Sequence, residues 1–92
     1  MTVSLDEIKT YLRVDYSDDD ELITGLIASA LELCAGVARL SQEDFLALDS
    51  NEAKISVLYT VAYLYEHREE ADHHELTLTL RSLLFGVREA GF

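Results

Sequence analysis

The sequence predicts an all-α fold: a compact bundle of about four helices, over roughly 4–13, 18–38, 51–70 and 75–85, with a short helical turn near 42–48. Three features predict it. There is no Pro, and no Gly between Gly36 and Gly86, so the turn chemistry that folds a sheet back on itself is missing. Apolar residues recur at helical spacing from Leu5 onward. Ser or Asp stands ahead of the periodic segments, where a helix start needs a side-chain acceptor.

The first helix opens on Ser4-Leu5-Asp6-Glu7, a capping box in which Ser4 accepts from the Glu7 amide and the Glu7 carboxylate reaches back. Leu5, Ile8 and Leu12 give its apolar stripe, and it ends near Arg13. Ser17 is the expected cap of the second helix, with Asp18-Asp19-Asp20-Glu21 in a first turn whose free amides favour negative charge. Helix-start acids explain this run better than a calcium loop, which needs a turn Gly and a distant bidentate Glu.

The second helix is apolar on one side, through Ile23, Leu26, Ile27, Ala30, Leu31, Cys34 and Val37. Its other side is small rather than charged, and Gly25, Ser29 and Gly36 fall on one line. A mid-helix Gly costs about 1 kcal/mol against Ala, so this line suggests close packing by another helix, here assigned to a neighbouring subunit. Ser41-Gln42-Glu43-Asp44 caps a short turn carrying Phe45, Leu46 and Leu48, a lid for the core.

The segment from Asn51 to Glu70 carries no charge between Lys54 and Glu66. On a helical wheel its apolar residues leave only a narrow sector with Ala53, Ser56, Thr60 and His67. A surface helix has an apolar arc of roughly 100°, so this one needs cover on nearly every side. Asp72 is a candidate cap for the last helix, where Leu76-Thr77-Leu78-Thr79-Leu80 alternates like a strand while Leu76, Leu80, Leu83 and Leu84 fit a helix. Without a partner strand, helix is the reading. Gly86 is the expected stop, leaving 86–92 as a flexible or docking tail with Phe85, Val87, Arg88 and Phe92 as its contact residues.

Ninety-two residues make a single domain, 1–92, with a modest core. With 49% of residues hydrophobic, self-association is the expected way to cover the surplus. A net charge of −11 opposes binding to a phosphate backbone, so sequence-specific nucleic-acid recognition is not expected. The lone Cys34 reads as a small core hydrophobe. No signal peptide is legible, nor an apolar run of membrane-spanning length, so a soluble protein kept in a reducing cytoplasm and away from membranes is expected. His67, His73 and His74 lack the paired spacing of helix metal sites. No phosphate loop, activated nucleophile or paired carboxylates can be read, so neither catalysis nor a cofactor or metal is expected.

Three stretches carry a resemblance. Leu5-Asp6-Glu7-Ile8-Lys9 with Tyr11-Leu12-Arg13-Val14-Asp15, Asp18-Asp19-Asp20-Glu21-Leu22-Ile23 with Ile27 and Ala30, and Leu58 to Glu69 together resemble the small head-to-tail connector (adaptor) proteins of tailed bacteriophages and prophages. Prolines expected ahead of the third helix and near the C-terminus are missing. The resemblance implies a structural virion subunit at the head-tail junction, assembled in the host cytoplasm. It would form a ring of about a dozen copies beneath the portal, closed by a heterologous contact. Portal and tail-completion proteins would be its partners, with DNA only passing through. The expected ring faces are Gly25, Ser29 and Gly36 on one side and Val57, Val61 and Leu64 on the other. The alternative is an acidic helical regulatory module that mimics DNA charge or occludes a basic partner.

Overall fold

The structure is a computed structural model that describes residues 1–67 and 74–90, with side chains described to Phe85. Five helices follow one another: α1 Leu5–Leu12, α2 Asp20–Ala38, α3 Gln42–Leu46, α4 Asn51–Glu66 and α5 His74–Ala90. The fold is the expected all-α bundle, with the short turn as α3. The ambiguous Leu76–Leu80 stretch is helical, burying Leu76, Leu80 and Leu84 on one stripe.

Local chemistry sets most of the boundaries. Ser4 and Glu7 form the capping box of α1, while Ser41 and Ser50 accept from Asp44 and Ala53 to open α3 and α4. Ser17 does not cap α2; Asp19 stands at that position, and its side chain does not bond the helix. The reason is competition, since the Asp19 carboxylate accepts from the Tyr65 hydroxyl at 2.5 Å and from Tyr16 at 3.5 Å. Two helices end on a left-handed residue that is not Gly. Arg13 and Arg39 take left-handed backbone (φ 60 and 61), and the amides beyond them, Val14 and Leu40, return to Lys9 and Ala35 at 2.9 and 3.0 Å. Their guanidinium charges sit where the helix dipole favours a cation. Gly86 is not a stop, because α5 continues through it to Ala90. The proposed Asp72 cap lies outside the described residues.

Helices α2, α4 and α5 each pack against the other two, with α1 lying on α2 and α4 and α3 on α2. α2 is long and apolar enough by composition to cross a membrane, yet it is the helix on which the four others pack. Its buried positions are mostly small: Ala30, Cys34, Ala35 and Ala38, with Ile23. Opposite them α4 presents Ala53, Ser56 and Thr60, all fully buried. Both hydroxyls are satisfied inside their own helix, Ser56 donating to the Glu52 carbonyl at 2.8 Å and Thr60 to the Ser56 carbonyl at 2.7 Å. Buried polar groups so paired avoid the desolvation penalty, and small side chains let two backbones come close. Cys34 sits in this seam, 3.4 Å from the Thr60 hydroxyl. Burial pushes its thiol up, which keeps it protonated and unreactive at neutral pH.

This reverses the expected orientation of α4. The small polar sector faces inward with Val57 and Val61, Ile55 faces out, and the rest of the apolar arc is half-buried. The molecule measures 42 × 27 × 18 Å.

Ion pairs fix the periphery. Lys9 meets Asp20 at 2.7 Å, and Lys54 pairs with Glu7. Its hydrogen bond from Lys54, then that from the Ser4 amide, holds the Glu7 carboxyl below its usual range. That contribution is present above the ordinary carboxyl pKa and is lost as pH falls through the lowered one.

The Tyr65–Asp19 bond pushes the Tyr65 phenol well above its usual value, with the Tyr16 hydroxyl, 3.4 Å away, adding to the effect. A raised folded-state pKa contributes stability in full below about pH 10, the value of an unfolded tyrosine, and loses it as pH climbs through the folded value. Asp19→Asn should therefore move part of the tyrosine ultraviolet titration to lower pH, and a titration curve that the substitution leaves unchanged would refute the clamp.

Candidate assembly interface

Two surfaces of this bundle are built for contact rather than chemistry. The first is the outward face of α4. Ile55 is 52% exposed, and Tyr59 and Ala62, at i+4 and i+7, are half-buried on the same side, with Glu52 and Glu66 exposed at its two ends. Beside it, where α1 ends, Tyr11, Arg13, Tyr59, Tyr63 and His67 line an open groove of about 550 Å³. His67 stacks on Tyr63, with centroids 4.2 Å apart, and its Nδ1–H donates to the Tyr63 carbonyl at 2.9 Å. The ring is thus held by its own helix end.

The second surface is the groove between α2 and α5, of about 620 Å³. Leu33, Gly36, Val37 and Thr77 line it, flanked by Arg39 and Arg81 and by Glu32. A Cβ placed on Gly36, or on Gly25 further along α2, would meet nothing within 4 Å. The two glycines and Ser29 are exposed, so no helix of the same chain uses the small face they form. On α5 an outward ridge carries Leu78 and Phe85, 47% and 61% exposed.

Of the residues expected at the ring faces, Gly25, Ser29 and Gly36 lie together on open surface. Val57 and Val61 do not: both are fully buried in the chain's own core and cannot meet a neighbour, while Leu64 is half-buried. The error is one of direction, because hydropathy alone assigns the Ser56/Thr60 sector to the outside. Sequence reasoning missed Ile55, Tyr59 and Glu66 as the outward residues. The signal was present in Ala53, Ser56 and Thr60, a stripe of small residues that matches the small positions of α2. Phe85 is exposed as expected; the side chains of Val87 and Arg88, and Phe92 altogether, lie outside the described residues.

Three acids are spent locally, Glu7 on Lys54, Asp20 on Lys9 and Asp19 on Tyr65. Among the described residues, no three His, Cys, Asp or Glu side chains come together as metal ligands do; His73 lies outside them.

Exposed apolar ridges and a groove lined by Gly36 on a small helical domain are features of proteins that pack against other proteins. The match to a family model over residues 2–90 makes it more particular: the chain belongs to the phage gp6-like head-tail connector proteins. Comparisons with curated proteins and with solved structures give no match. Membership makes it a structural protein of the phage head-tail junction that interacts with other head and tail proteins, in a family that is not one of enzymes.

Proposed function

We propose that this chain assembles as a ring beneath the portal, joins the capsid to the tail and leaves a channel through which DNA passes. The observation that carries the ring is the outward face of α4, where Ile55 is exposed and Tyr59 and Ala62 are only half covered. Exposed apolar area of this kind is covered in a working assembly. A closed ring needs two different faces per subunit, and the α2–α5 groove is a second surface without an occupant from its own chain. The net charge of −11 suits a wall that repels DNA instead of retaining it. The exposed end of α5, with Phe85 leading to Val87, Arg88 and Phe92, is the segment we assign to portal or tail docking. Assembly takes place in the host cytoplasm.

The test uses DNA-filled heads that carry the cognate portal but lack this protein. Purified chain added to them should co-sediment in several copies per head and allow tails to attach. Heads that sediment without it would refute the connector role, and one copy per head would refute the ring.

A further inference from the structure

We infer that the outward ridge of α4 in one copy, Ile55, Tyr59 and Ala62, seats in the α2–α5 groove of the next, with Glu66 meeting Arg39 and Arg81. The inference rests on the ring reading and names the contact that closes it. Position is the first argument. Because α2, α4 and α5 each pack on the other two, they form a triangle in cross-section, and the groove between two of them lies across the molecule from the outer face of the third. Surfaces on opposite sides propagate from copy to copy, as a heterologous contact must.

Shape is the second argument. A ridge of side chains at helical spacing fits the furrow between two helices. The Gly36 position, open beyond its backbone, gives a side chain as large as that of Tyr59 access to the floor.

Charge is the third. The chain has only seven Lys and Arg, and two of them border this one groove against a single acid, Glu32. Lys9 and Lys54 are occupied within the subunit by Asp20 and Glu7, whereas neither Arg39 nor Arg81 has an ion-pair partner among the described residues. The α4 ridge ends on exposed Glu66 and begins at exposed Glu52. Pairing two α4 faces about a two-fold axis would set these carboxylates against each other, while ridge into groove sets acid against base.

A full-length chain carrying Tyr59→Cys and Gly36→Cys, added to portal-bearing heads and oxidised, tests the contact. Buried Cys34 does not compete. The expected product is a ladder of disulfide-linked chains from dimer upward, absent from either single variant. Attachment without cross-links would overturn the contact while leaving the ring reading standing. A dimer from Tyr59→Cys alone would replace it with a two-fold α4 pairing. Wild-type chain that fails to attach would remove both. As a second measurement, Glu66→Arg and Arg81→Glu should each weaken attachment about tenfold or more, and the two together should restore it. Attachment unchanged by either reversal would also overturn the proposal.

Discussion

Phe45→Ala should cost about 3–5 kcal/mol of stability, the range for emptying a fully buried aromatic site. Among the described residues Phe45 is the largest fully buried side chain, and it comes from a helix of only five residues. A helix that short has almost no stability of its own, so Phe45 is what fastens α3 over α2. Domains of this size hold about 5–15 kcal/mol in total. The loss should lower the melting temperature by on the order of 20 °C. Phe45→Leu, which leaves less empty space, should cost well under half as much. Thermal unfolding followed by circular dichroism checks both, and a drop of only a couple of degrees for Phe45→Ala would mean that α3 is not part of the cooperative core.

The features legible in the sequence were those determined by near neighbours along the chain. Ser4 with Glu7, Ser41 and Ser50 announce their helices because a cap involves residues three apart. Phe45 reads as a lid because a lone large aromatic follows a capped turn. Features determined by tertiary partners were not legible. Ser17 is a reasonable cap until Tyr65, forty-six positions beyond Asp19, claims the Asp19 carboxylate and shifts the start of α2. Arg13 and Arg39 end helices in a conformation usually left to Gly, and buried Val14 beyond the first of them supplies the apolar contact that holds the turn. The facing of α4 failed for the deepest reason. Ser56 and Thr60 are polar by composition, but hydroxyls bonded to their own helix present only their small volume to a neighbour. Volume, matched to Ala30 and Cys34, decides which side of α4 goes inside.

That same exchange of polarity for volume makes the small face of α2 the sharpest place to separate folding from assembly. Gly25→Leu together with Gly36→Leu should stabilise the isolated chain by about 1–2 kcal/mol, since Gly is about 0.8–1.0 kcal/mol worse than Ala in a helix interior and Leu is close to Ala. Nothing in the subunit resists the change, because a Cβ at either position meets no atom within 4 Å. Assembly should move the other way. The isobutyl group that Gly36→Leu introduces would fill the floor that a neighbouring ridge needs, and overfilled packing typically costs about 1–3 kcal/mol, which is roughly a 5- to 150-fold loss of attachment. A higher melting point with lost head binding therefore marks a face kept small for a neighbour. If the double variant is both more stable and fully competent for attachment, the small residues serve no contact, and the interface must be sought on the Leu78 and Phe85 ridge of α5.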